Sequence, residues 1–138
     1  MSFITWTHLD GMGVAIFDAE HRVAVELANR LHDAIERREH ETCLRHVVQR
    51  LARYAEEHFS HEEEYMRLSA YGGTCRHVEA HNRLKQQIKQ FQDIIQDGGL
   101  DREALAATVM AFFRDWLIEH IRTEDQLLGE YLNTKGIR

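Results

Sequence analysis

The sequence predicts an all-α protein, an up-down-up-down antiparallel four-helix bundle with an irregular N-terminal arm. Three observations lead there. None of the 138 residues is proline, the residue that most strongly interrupts helices. Glycines gather as Gly11 with Gly13, Gly72-Gly73 and Gly98-Gly99, and Leu, Ala, Glu, Arg and Gln fill the stretches between, favouring helix over strand. Four of those stretches space their apolar residues alternately by three and four, as a helix with one buried stripe requires.

The arm, residues 1–17, carries Phe3, Ile4, Trp6 and Leu9 without a clear period and is expected to lie across the bundle. The first helix is expected at about 18–38, with His21, Ala24, Ala28, Leu31 and Ile35 in its stripe. The second, about 41–69, has Leu44, Val48, Leu51, Ala55, His58, Glu62 and Tyr65; the third, about 74–97, has His77, His81, Leu84, Ile88, Phe91 and Ile95. The fourth, about 101–128, has Leu105, Val109, Phe112, Trp116 and His120. Asp18, Thr74 and Asp101 are candidate N-caps, whose side-chain oxygens can accept from a free first-turn amide. Gly72-Gly73 and Gly98-Gly99 are expected to supply the positive-φ positions that end a helix. Such short connections make sequence neighbours antiparallel. No repeat, linker or low-complexity segment divides the chain, so residues 1–138 read as one domain.

Charge and composition narrow the function. A net charge of −6 argues against nucleic acid as a partner, since no basic stripe offsets repulsion from phosphates. No apolar run approaches ~18 residues, so membrane insertion is not expected. Met1 to Leu9 lacks a basic and then apolar leader, which points to the cytoplasm. Cys43 and Cys75 have no metal or redox spacing and read as reduced thiols. The ten histidines stand out against this background.

Several of them occupy stripe positions. Burying a polar group without a partner costs roughly 1–3 kcal/mol, and a domain is stable by only ~5–15 kcal/mol. His21, His58, Glu62, His77, His81 and His120 must therefore satisfy one another or share a ligand. Their heights decide which. His21 lies about 19 residues before the first turn and His58 about 18 after it; His77 and His81 lie about 22 and 18 before Gly99, and His120 about 21 after it. The short turn near Gly72 sets Glu62 opposite His77 and His81. At 1.5 Å rise per residue all fall in one slab, ~27–33 Å from the far turns.

Taken singly, these motifs are weak. His77-x-x-x-His81 and His58-x-x-x-Glu62 each put two donors on one helix face. For His120, helical spacing prefers Glu124 as partner over Asp125, because five residues overshoot a full turn by about 140°. Together they exceed one ion. A structural zinc takes four donors, usually with thiolates; calcium and magnesium want oxygen throughout. Two first-row ions sharing carboxylates fit the count, and imidazole suits iron, copper or zinc. Ferritin-like di-iron oxidases use Glu-x-x-His pairs instead, which are absent at this level.

The pattern Asp18-Ala-Glu-His21, His58-Phe59-Ser-His-Glu62-Glu63, His77-x-x-x-His81 and Trp116-Leu117-x-x-His120-Ile121-x-x-x-Asp125, with Met66 and Trp6, resembles the bacterial hemerythrin family over roughly residues 6–130. The resemblance implies a cofactor of two non-haem irons with an oxo or hydroxo bridge. His77, His81 and His120 would bind one iron, His21 and His58 the other, and Glu62 and Asp125 would bridge them. It chooses Asp125 over Glu124. It also implies reversible dioxygen binding at the less coordinated iron, for transport or storage, with no catalytic residue and no enzyme activity. An oxygen-consuming partner protein and a monomeric state go with that role. Phe59, Trp116, Leu117 and Ile121 are candidates for a dry wall around the site. Alternatives in the same family are an oxygen or nitric oxide sensor and an iron-handling or peroxide-processing protein; a metal-free bundle of paired histidines and carboxylates is the remaining rival. Two departures stand out. Ala24 replaces the leucine often found one turn after the first histidine, predicting a roomier pocket, and the proline often found after the second helix is missing. His8, His32, His40, His46 and His61 are expected to be solvated or edge residues.

Overall fold

A computed structural model describes residues 11–38, 40–98 and 101–138. Phe3, Ile4, Trp6, His8 and Leu9 of the expected arm, Gly99, and the side chains of His40 and Cys43 lie outside the described residues. The helices are α1 (Ala15–Glu36), α2 (His40–Ser69), α3 (Thr74–Asp97) and α4 (Arg102–His120). A π-helical turn, Ile121–Asp125, joins α4 to α5 (Gln126–Thr134). α1 packs on α2 and α4, and α2 on α3, giving the all-α four-helix bundle that the periodicity predicts. No helix among the described residues is long and apolar enough to cross a membrane. Cys75 is free and exposed.

The ends of the helices differ from expectation in instructive ways. α1 starts at Ala15, three residues early, so Asp18 lies within the first turn rather than capping it. Its carboxylate instead accepts from the Met12 amide (2.8 Å) and pins the incoming chain. Thr74 is the first residue of α3, not its cap; its hydroxyl donates to the Tyr71 carbonyl. Asp101 does cap α4, accepting from the Glu103 amide at 3.0 Å. Gly98 ends α3 with φ 73°, as expected of glycine in that position.

The turn after α2 corrects the role given to Gly72-Gly73. Neither glycine has positive φ; Ala70 takes the left-handed position instead, at φ 58°. The amide of Tyr71 then reaches back to the Met66 carbonyl (3.0 Å) and that of Ala70 to Arg67 (3.3 Å), a Schellman closure of the helix end. Tyr131 on α5 donates its hydroxyl to the Ser69 carbonyl and fastens this turn.

In α4 Leu105, Val109 and His120 are buried as predicted, but between Val109 and His120 the buried positions fall one residue later than predicted. Phe113 and Leu117 are buried while Phe112 and Trp116 are half-buried. Apolar residues adjoin at 112–113 and 116–117, so periodicity alone could not choose between the two faces.

The apolar core is in two parts. The larger runs through α1–α4 and includes Leu31, Leu44, Leu51, Leu84, Val109 and Phe113; the smaller, Met12, Val14, Phe17, Met66, Leu128 and Leu132, closes the other end. Between them lies a polar slab.

Candidate metal centre

Seven polar side chains form that slab, each at most 5% exposed: His21, His58, Glu62, His77, His81, His120 and Asp125. All the sequence-predicted ligands are therefore brought together. α1 contributes His21, α2 His58 and Glu62, α3 His77 and His81, and α4 with the π turn His120 and Asp125. Placing imidazoles four apart on α3, and His58 with Glu62 four apart on α2, stacks each pair on one helix face.

Asp125 reaches the slab because the helix widens ahead of it. A π turn closes i to i+5 hydrogen bonds, so positions five apart share a face, and His120 Nε2 lies 3.0 Å from Asp125 Oδ1. Glu124 is turned outwards, where Arg76 Nε donates to it at 3.0 Å. Thr123 donates its hydroxyl to the Glu119 carbonyl (2.6 Å) inside the widened turn, a local bond of the kind that distorts helices.

The carboxylates divide their oxygens between two sets of histidines. Asp125 Oδ1 faces His77 and His120, each at 3.0 Å, while Oδ2 faces His21 at 2.9 Å. Glu62 Oε1 faces His81 (3.0 Å) and His77 (3.4 Å), while Oε2 faces His58 (3.4 Å) and His21 (3.9 Å). The potential ligand atoms therefore fall into two groups: Glu62, His77, His81, His120 and Asp125 in one, His21, His58, Glu62 and Asp125 in the other. The two groups share both carboxylates.

These contacts are short but lack hydrogen-bond geometry. The Nε2 atoms of His58, His77, His81 and His120 and all four carboxylate oxygens of Glu62 and Asp125 are buried without a hydrogen-bond partner among the described residues. Lone pairs aimed at a common point do that, whereas donors and acceptors evolved for each other align. Buried polar groups are otherwise almost always satisfied, so the donor set fits a pair of cations.

Other residues orient the imidazoles. His58 Nδ1 donates to Glu20 (2.8 Å), which also takes His61 Nδ1 (3.0 Å). His81 Nδ1 donates to Glu63 (2.8 Å). A carboxylate on the far nitrogen fixes the tautomer that leaves Nε2 to a metal. Sequence reasoning missed the role of Glu20 and left His61 unassigned; the signal available was Glu20 adjoining His21 within the quoted motif. Phe59 stacks on His81 (centroids 3.8 Å, 6°) and Trp116 on His120 (4.5 Å, 12°). Leu117 and Ile121 are buried in the same apolar cluster as Phe59, against which Trp116 packs. Phe17, assigned to the arm by sequence, sits edge-on to His58 at 6.0 Å.

Without metal, the charges in the slab settle on its own groups. Burial resists protonation of His58, but the Glu62 charge and the Glu20 contact outweigh it and push His58 up to about 10. Burial is likewise outweighed at His77 by Asp125 and Glu62, raising it to about 9. His81 is lowered, by burial first and by neighbouring His77 and His120. Burial works to raise both acids, yet histidine contacts hold Glu62 and Asp125 well below the usual carboxylate range.

Known proteins resemble the chain in sequence and in fold. Bacteriohemerythrin of Pseudomonas aeruginosa (strain LESB58) is 27% identical over 125 residues, covering 91% of this chain and 78% of the relative. That of Methylococcus capsulatus is 27% identical over 134 residues, covering 96% and 99%. A crystal structure of wild-type hemerythrin superposes with a TM-score of 0.82 at 26% identity, covering 95% of this chain and 98% of that one. Residues 12–132 match the family model described as the hemerythrin HHE cation binding domain, and the chain belongs to the hemerythrin family.

Proposed function

We propose that the chain is a single hemerythrin-like domain holding two non-haem irons, and that it binds dioxygen reversibly as a carrier or store. One observation carries the reading: Glu62 turns one oxygen to His77 and His81 and the other to His58 and His21, while Asp125 turns one to His77 and His120 and the other to His21. On this reading His77, His81 and His120 hold one iron, His21 and His58 the second, and the two carboxylates bridge. The second group offers four protein donors against five in the first, so its side is where a small exogenous ligand fits.

Two ferrous ions held by these residues would supply the electrons that dioxygen takes up. The chain supplies geometry and dryness. Glu20 and Glu63 hold His58 and His81 in the tautomer that presents Nε2 to the centre. Phe59, Trp116, Leu117 and Ile121 exclude the water and protons that would make dioxygen uptake irreversible. The test is metal analysis followed by anaerobic reduction and titration with oxygen. Two irons per chain and a visible band that appears with oxygen and vanishes on its removal are expected.

A further inference from the structure

Tyr54 lies on α2 one turn before His58, and its ring stacks on that imidazole, centroids 5.1 Å apart and planes 11° from parallel. The residue as a whole is only half-buried, yet its hydroxyl oxygen is fully enclosed and has no hydrogen-bond partner among the described residues. Native proteins rarely leave such a hydroxyl unsatisfied, because desolvating it without a partner is costly. Its surroundings indicate what the partner is. On the outer side a groove of about 650 Å³, lined by Leu27, His46, Arg50, Arg53 and Glu57, reaches Tyr54. On the inner side the charges of Glu62, Asp125 and Glu20 act on the hydroxyl. α1 and α2 run antiparallel, with the His21 and His58 rings 4.9 Å apart. One turn onward from His21 and one turn back from His58 therefore arrive at the same level, which pairs Ala24 with Tyr54. Ala24 is fully buried and brings only a methyl group to that level.

We propose that Tyr54 is a ligand-binding residue, its hydroxyl donating a hydrogen bond to a small lone-pair acceptor seated on the His21–His58 side of the centre. The inference rests on the di-iron reading of that centre. The pocket that Ala24 was expected to leave roomier thereby gains a hydrogen-bond donor, and negatively charged acceptors gain most from it. The two arginines of the groove, against the one acid Glu57, suit approach by an anion in a chain whose net charge is −6.

Azide serves as the probe, with wild type and Tyr54→Phe compared in two forms. In the iron-loaded form, azide is expected to bind about tenfold more weakly to Tyr54→Phe, the worth of one hydrogen bond to a charged acceptor. In the metal-free form, Tyr54→Phe is expected to melt at or above the wild-type temperature, because it deletes a hydroxyl that none of the described residues satisfies. Equal azide affinities in two proteins that both carry two irons overturn the proposal alone. A lower metal-free melting temperature also overturns it, since the hydroxyl then has a structural partner. If neither protein takes up iron, the di-iron reading falls and the proposal falls with it.

Discussion

His120 Nε2 stands 3.0 Å from Asp125 Oδ1, although five residues along an α-helix would turn the two side chains well apart. The π turn Ile121–Asp125 removes that difference. It also explains why the carboxylate one residue nearer, Glu124, is left to Arg76 on the outside. Asp125→Asn is therefore expected to lower the number of bound irons, while Glu124→Gln leaves it at the wild-type value. Iron analysis of the two variants decides; loss of iron from Glu124→Gln instead would mean that the helix is regular there.

Glu20 and Glu63 touch no metal on this account, yet each holds one imidazole in place. Removing such an orienting carboxylate ordinarily weakens metal binding by ~10–100-fold. Glu20→Ala and Glu63→Ala are expected to fall in that range in a chelator competition. Glu64→Ala, which removes only an exposed partner of Arg67, is expected to leave affinity unchanged.

Metal and protons compete for the slab. His58 at about 10 and His77 at about 9 are raised above the unfolded value of ~6.5. A raised pKa gives stability that is complete below the unfolded value and is lost as pH rises through the folded one. The metal-free protein is therefore expected to melt at progressively lower temperature from pH ~6.5 to ~10. Glu62 and Asp125, held low, act oppositely: their contribution is present above ~4 and is lost as pH falls. His81, lowered, adds a cost on acidification because its protonation disfavours the fold. Iron loading near pH 7.5 is expected to release about two protons from His58 and His77. Calorimetry in buffers of different ionisation enthalpy measures that release.

Two backbone positions have effects of opposite sign. Ala70 adopts φ 58°, a conformation costing an L-residue roughly 1–2 kcal/mol, so Ala70→Gly is expected to stabilise by about 1 kcal/mol. A Cβ on Gly129 would overlap the Met12 carbonyl, and Gly129→Ala is expected to destabilise by roughly 1–3 kcal/mol. Denaturant melts of both variants measure these changes.

Much of this was legible because helical period and axial height are arithmetic on sequence. Leu84, Ile88 and Phe91 follow the stripe that carries His77 and His81, and all five are buried. What escaped sequence depends on departures from that regularity. Asp125 required a widened turn that no spacing rule announces, and only the family motif named it. Ala70 took the left-handed position beside two available glycines, because the Met66–Tyr71 hydrogen bond fixes where the helix closes. Tyr54 lies outside the stripe predicted for the second helix. Only the enclosure of its hydroxyl distinguishes it, and enclosure depends on α1 packing across from it.

The most direct measurement is an oxygen titration of the anaerobically reduced, iron-loaded protein, followed by removal of oxygen under vacuum. With Glu62 and Asp125 bridging two irons, the visible band should rise to saturation at one dioxygen per two irons and disappear on evacuation through repeated cycles. A protein that folds to full stability without metal and shows no such band, or one whose band never reverses, would contradict reversible dioxygen binding at this centre.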